Sequence, residues 1–187
     1  YDPSITPNLP KKTWKDFESI DESPNLISIE NSICNEIQQK LKTVNGHEIS
    51  IALSGGIDST LVLSLLRKTK PDVKINAVSI KFANSIDETS TASKIAEKYD
   101  AEHHIIYLEN YLSELPKAIS IIKLPFWDLH WYYVVKKSQT LSKTLISGDG
   151  GDELFAGYTF RYKKFLSLTS ENSSPHEKVK AYLECHE

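Results

Sequence analysis

Residues 48–60 read Glu48-Ile49-Ser50-Ile51-Ala52-Leu53-Ser54-Gly55-Gly56-Ile57-Asp58-Ser59-Thr60. The first six are short, apolar and β-branched, which predicts a buried strand over 48–53. Ser54 to Asp58 form a glycine loop. A helix is expected over 59–68, with Leu61, Leu65 and Leu66 inward and Lys68, Lys70 and Pro71 closing it. Strand, glycine loop and helix in that order make the place where open α/β sheets bind phosphates. Two glycines let main chain approach a ligand. The amides of Ile57, Asp58 and Ser59 face outward at the helix start, and Ser54 and Ser59 add hydroxyls, so the loop suits an anion such as pyrophosphate.

Competing readings of the loop differ in what they require. A Walker A loop needs Gly-Lys-Ser/Thr, and no lysine follows the glycines until Lys68. The glycine spacing is not GxGxxG. Ala52-Leu53-Ser54-Gly55-Gly56 is one methyl away from the G-x-S-x-G nucleophile elbow. A hydrolase would then need Asp149 followed by His176 or His186. The plainest reading is a tight turn with no ligand, against which stand two serines and Asp58 in one loop.

Outward from this unit the pattern repeats. Ile29, Ile33, Ile37 and Leu41 recur every four residues and predict a preceding helix ended by Asn45-Gly46. Downstream come strands over 74–82, 103–108 and 143–147. Helices are expected over 87–99 (buried through Ala92, Ile95, Ala96 and Tyr99), 112–122 (with Pro116 breaking it or opening its second part), 131–140 and 152–158. Alternation of this kind means an α/β domain with a mainly parallel sheet. Residues 169–174 read as a polar loop, and 176–187 as an amphipathic segment without a capping signal. The prolines at 3, 7, 10 and 24 mark residues 1–27 as an extended arm, leaving a domain over 28–187.

A second glycine turn, Ser147-Gly148-Asp149-Gly150-Gly151-Asp152-Glu153, also lies between a strand and a helix. One carboxylate there is explained as a helix cap. Three carboxylates among three glycines suit a hard cation, and magnesium takes one or two carboxylates plus substrate phosphates. Asp58 and Asp152 are the expected pair. Sharing one ion requires the first and fourth strands to be neighbours, which the order 3-2-1-4 achieves, with the switch point between them.

Composition narrows the function classes. The chain has 187 residues, 25% charged and 40% hydrophobic, with a net charge of −3 and a pI near 6.1. That is enough for one domain with a real core. Without a basic surplus, nucleic acid is not the expected partner. No apolar run approaches the roughly 20 residues of a membrane span, and residues 1–12 do not read as a signal peptide. Two distant cysteines, Cys34 and Cys185, make neither a disulfide framework nor a zinc site, so a reducing cytoplasm is expected. Methionine is absent, which fits a processed piece of a longer protein.

The pair of motifs LSGGIDST (Leu53 to Thr60) and SGDGGDELFAGY (Ser147 to Tyr158) resembles the synthetase domain of the asparagine synthetase family, a branch of the PP-loop ATP pyrophosphatases. Shorter stretches in between are similar as well: VSIKF before SIDE, ASKIAEKYDAEHH, and LPFWDLHWYYVVKK. The resemblance covers residues 29–165 and implies an adenine nucleotide alpha hydrolase-like fold with helices on both faces of the sheet. It implies an ATP- and magnesium-dependent, amide-forming synthetase. Such an enzyme adenylates a carboxylate with release of pyrophosphate, and nitrogen then expels AMP. Aspartate is the leading acceptor. The alternatives are another PP-loop amide or lactam synthetase and a non-catalytic ATP-binding or assembly module. Carried over, Ser54, Gly55, Gly56, Asp58 and Ser59 grip pyrophosphate, and Asp58 and Asp152 hold magnesium. Leu53, Ile80, Ser147 and Gly148 contact adenosine, while Asp149 stands near the reacting carboxylate.

Departures from the family pattern set further expectations. Lys81 stands where glycine is usual. Residues 1–25 are too short to be the family's glutamine-hydrolysing domain, so nitrogen is expected as ammonia or from a separate glutaminase. The family's late lysine has no counterpart before Glu187, so the domain is expected to be C-terminally incomplete, completed by further sequence or a partner chain. Homo-oligomerisation is left open. Phe126, Trp127, Trp131, Tyr132 and Tyr133 are expected to pack between helix and sheet. The competing reading makes them walls of an acceptor pocket with Asp128 and His130. His103 and His104, adjacent on a strand, face opposite ways and do not share a metal. Arg161, Lys163 and Lys164 read as a solvated face, or as attracting the triphosphate.

Overall fold

The computed structural model describes residues 25–42, 47–83, 87–123, 128–155 and 157–185. Four strands, β1 (Glu48–Ala52), β2 (Lys74–Phe82), β3 (Ala101–Leu108) and β4 (Leu145–Ile146), form one sheet in the order β3-β2-β1-β4. All three pairings are parallel, with Ala52 beside Val78 and Ile51 beside Ile146. The expected order and the adjacency of the first and fourth strands are both present.

Eight helices accompany the described strands: α1 (Leu26–Leu41), α2 (Ile57–Thr69), α3 (Thr89–Lys98), α4 (Leu115–Ile122), α5 (Leu129–Ser138), α6 (Gly151–Phe155), α7 (Thr159–Leu168) and α8 (Pro175–Glu184). Side chains alternate across a strand, so the two faces are read directly. Ile49, Ile51, Leu53, Ile75 and Ala77 meet Leu41, Leu63, Leu66, Ala92 and Ala96 on the face covered by α1, α2 and α3. Ile80, Ile106 and Leu108 meet Ala118, Leu129 and Tyr133 on the face covered by α4 and α5. Helices therefore flank both faces. None of the described helices is long and apolar enough to cross a membrane.

Several element boundaries move for identifiable reasons. Helix α1 starts at Leu26, inside the stretch read as an arm, because the Asn25 side chain accepts the Ser28 amide at 2.8 Å and caps it. The expected stop at Asn45-Gly46 and the arm over 1–24 lie outside the described residues. Helix α2 begins at Ile57, not Ser59; Leu65 and Leu66 are buried as expected, together with Ser59 and Leu63, while Leu61 is 40% exposed. Pro116 opens α4 rather than breaking it. Helix α8 is capped: the Ser174 hydroxyl accepts the Glu177 amide while Glu177 accepts the Ser174 amide, a capping box missed in the sequence. Helix α7 was not anticipated at all, and β4 pairs over two residues rather than five.

Candidate functional site

The two glycine turns leave the adjacent C-terminal ends of β1 and β4 and meet. Their contact is main chain on main chain. A Cβ at Gly148 would stand 2.7 Å from the Ser59 amide nitrogen and 2.8 Å from the Asp58 carbonyl carbon. Only glycine lets the second turn lie on the first turn of α2. A Cβ at Gly151 would meet the Asp58 carboxyl carbon at 2.6 Å, so the Asp58 carboxylate lies against the residue preceding Asp152. Gly150, at φ +91°, provides the left-handed bend between them.

The first loop is locked internally. Gly55 sits at φ +85°. The Ser54 amide donates to the Ser59 hydroxyl at 3.3 Å, the Gly56 amide donates to Ser54 Oγ at 3.2 Å, and the two serine hydroxyls are 3.2 Å apart. Thr60 donates the first helical hydrogen bond, to Gly56 O at 3.1 Å. The amides of Ile57, Asp58 and Ser59 therefore precede the hydrogen-bonded ladder of α2, where a helix presents free N–H groups and positive potential.

Helix α6 folds back on its own motif. The Gly157 amide donates to Asp152 O at 2.9 Å, and a side chain at Gly157 would collide with the Asp152 carboxylate. The Tyr158 hydroxyl donates to Glu153 Oε1 at 2.6 Å, which holds that carboxyl below the usual carboxylate range and raises the Tyr158 phenol. Arg161 stacks on the Tyr158 ring at 4.3 Å. Lys164 donates to Glu184 O at the end of α8. Arg161 and Lys164 thus brace α6, α7 and α8.

Between the turns and α5 lies a cavity of about 340 Å³. Its walls include Leu53, Ser54, Asp58, Ser59, Ile80, Gly148 and Asp149, seven of the residues expected at the site. Gly55 and Gly56 instead border a separate outer groove with Ile57, Thr60 and Leu61. Ser147 and Asp152 do not line the cavity. Val78, Ser79, Phe82, Glu88, Thr89, His130, Trp131 and Val134, with Ala52 and Ala92, complete its wall. Sequence reasoning missed most of these. The period-two pattern at the end of the 74–82 strand and the start of the following helix was the signal available for them.

The α3 wall is pinned by Asp87, whose Oδ1 accepts both the Thr89 amide at 3.0 Å and the Thr89 hydroxyl at 2.5 Å. Those bonds, chiefly the hydroxyl's, hold the Asp87 carboxyl below its ordinary value, and Lys81 lies 4.0 Å away. The aromatic cluster divides. Tyr133 is buried and donates to Tyr111 O, and Tyr132 donates to Glu114. His130 and Trp131 face the cavity, while Phe126 and Trp127 lie outside the described residues. His103 faces Ser79 and Ser93, and His104 faces Asn76 on the other side of the sheet, as their adjacency required.

The elbow reading receives no support from the geometry. Ser54 Oγ is engaged by Ser59 and Gly56. His176 stands exposed in the first turn of α8, which packs on α7, and His186 lies outside the described residues.

Residues 39–185 match the model of the family described as asparagine synthase. The chain belongs to the asparagine synthase family. A glutamine-hydrolysing asparagine synthetase of Bacillus subtilis is 33% identical over 121 residues, covering 62% of this chain and 19% of that protein. The chain spans about a fifth to a quarter of the length of the curated relatives it matches. Among solved structures, an NMN synthetase from Francisella tularensis superposes with a TM-score of 0.52 at 18% identity, covering 88% of this chain and 72% of that one. A glutamine-dependent NAD+ synthetase from Acinetobacter baumannii in complex with ADP gives 0.55 at 16%, covering 74% of this chain and 29% of that one. These likenesses establish the PP-loop, adenine nucleotide alpha hydrolase-like fold.

The donor set suits magnesium bound with substrate. Among the described residues, no group of three or more His, Cys, Asp or Glu could hold an ion alone. The Asp58 carboxylate beside the Asp152 turn offers the one or two oxygens that magnesium takes before phosphates complete its shell.

Proposed function

We propose that this domain activates a carboxylate with ATP and magnesium and converts it to an amide. What supports the reading most is the junction of the two turns: Gly148 seated on the Ser59 amide places the α2 N-terminus, Asp58 and Asp149 around one cavity. ADP at the Acinetobacter baumannii enzyme and glutamine hydrolysis in the relatives' names agree with a nucleotide here and ammonia as nitrogen source.

In this reading the adenosine lies against Leu53, Ile80 and Gly148, with Ser147 behind the cavity wall as the residue that leads into Gly148. The pyrophosphate end meets the free amides of the α2 first turn and the hydroxyls of Ser54 and Ser59, with Gly55 and Gly56 shaping the loop. Asp58 and Asp152 hold magnesium, which when bound neutralises charge on the leaving pyrophosphate. A carboxylate oxygen attacks the α-phosphorus and the bond to pyrophosphate breaks. Ammonia then attacks the acyl carbon, the bond to AMP breaks, and Asp149 on the cavity wall takes the proton shed by nitrogen. Aspartate is the proposed acceptor, giving asparagine.

The test incubates the protein with magnesium, ATP, ammonia and candidate carboxylates, aspartate included, and measures AMP and pyrophosphate. Equimolar AMP and pyrophosphate dependent on one carboxylate is the expected result. Release of ADP and phosphate would overturn it, and ATP held without turnover would favour a binding module.

A further inference from the structure

A line of hydrogen bonds crosses three elements and ends on the main chain that enters the first loop. Ser93 Oγ, on α3, lies 2.8 Å from His103 Nδ1, on β3. His103 Nε2 lies 2.8 Å from Ser79 Oγ, on β2. Ser79 Oγ lies 2.5 Å from the carbonyl oxygen of Leu53, the residue after β1. We propose that His103 is a positioning residue for the bound nucleotide, fixing through Ser79 the peptide at which the chain enters the Ser54–Ser59 loop. The inference rests on the reading of the cavity as an ATP site.

Direction follows from what each atom can do. A carbonyl oxygen only accepts, so the single Ser79 hydroxyl proton is committed to Leu53. Ser79 Oγ must then accept from His103, which places a proton on Nε2. Burial foremost, then the neighbouring His104, holds the imidazole below the ordinary histidine value. A neutral ring with Nε2–H leaves Nδ1 as an acceptor, so Ser93 donates to it. The line therefore runs one way, Ser93 to His103 to Ser79 to Leu53. The other neutral tautomer would set a bare Nε2 against a hydroxyl whose proton is already used.

The end point matters because Leu53 and Ser79 are both buried and both border the cavity. The Leu53 amide donates to Val78 O at 2.9 Å, so Leu53 is tied to β2 through both its N–H and its carbonyl. The next residue, Ser54, accepts the Gly56 amide and contacts Ser59. A Leu53 carbonyl without its donor would rotate and carry the loop with it.

The tests are the ring tautomer, read by long-range proton–nitrogen NMR, and the ATP dependence of His103→Leu, Ser79→Ala and His103→Gln. A neutral ring protonated at Nε2 is expected. His103→Leu and Ser79→Ala should each weaken ATP binding roughly three- to tenfold, the span of one net hydrogen bond. In His103→Leu the rate at saturating ATP should change little, and the double variant should be no worse than either single one. His103→Gln, whose amide nitrogen reaches towards the Nε2 position, should recover affinity. Protonation at Nδ1, unaltered ATP affinity in both His103→Leu and Ser79→Ala, or a Gln variant as impaired as Leu would overturn the proposal. If the wild-type protein binds no ATP, the reading of the cavity fails. The tautomer and amide exchange over residues 54–59 still decide the line, with faster exchange expected in His103→Leu and not in His103→Gln.

Discussion

Replacing Gly148 by alanine probes the contact between the two turns. The added Cβ would lie 2.7 Å from the Ser59 amide nitrogen, against about 3.4 Å for an ordinary contact, so it must gain roughly 3.4 − 2.7 = 0.7 Å. The neighbours are main-chain atoms in the first turn of α2, which cannot yield by changing rotamer. The turns must separate, loosening the β4 end of the sheet. Overpacking of this kind costs about 1–3 kcal/mol. For a chain of this size each kcal/mol lowers Tm by roughly 2–4 °C, so a loss of about 2–12 °C is expected. A shift near 1 Å in a site costs up to about a hundredfold in rate, so AMP formation should fall on the order of tenfold or more. Gly150→Ala is the control. Its Cβ would meet nothing within 4 Å, and its cost comes from φ +91° alone, about 1–2 kcal/mol. Thermal unfolding and calorimetric ATP titration measure both variants. A Gly148→Ala protein with wild-type Tm and ATP affinity would show that the turns do not depend on this contact.

Asp58→Asn and Asp152→Asn should each remove most magnesium-dependent ATP affinity, and together should do no more than either alone, since one ion is lost either way; additive losses would separate the two carboxylates. Ser54 should resist a serine-reactive fluorophosphonate, because its hydroxyl is engaged by Ser59 and Gly56, and stoichiometric labelling there would revive the hydrolase reading. Burial leads the depression of both His103 and His104. The unfolded chain therefore binds more protons than the folded one below about pH 6.5. Stability should be level above that pH and fall as pH drops through it, and the Tm loss between pH 7 and 5 should shrink in His103→Gln and His104→Gln; unchanged slopes in both would contradict this.

What the sequence made legible was whatever backbone chemistry dictates locally. Gly55 and Gly150 occupy left-handed conformations, and Gly148 and Gly151 stand where a Cβ would strike main chain or the Asp58 carboxylate. Such positions admit few residues, so SGG and SGDGG mark their turns without help from the rest of the fold. Strand order was accessible for a related reason: two acidic glycine turns can share a ligand only if their strands are neighbours. The cavity wall was harder to read. Thr89, Phe82, Val134 and Ser79 are ordinary strand and helix residues, and their role depends on which face of the sheet they occupy at its C-terminal edge. Helix α7 escaped because no residue in it is fully buried; its apolar side chains, such as Phe160 at 66% exposed, follow no inward stripe. The His103 line shows the same division. The alternation of His103 and His104 was visible, but the partners Ser93, Ser79 and Leu53 sit 10, 24 and 50 positions away in the chain. Only the folded sheet turns that separation into a hydrogen-bonded path, so the residues that hold the loop in place are the ones the loop's own sequence could not name.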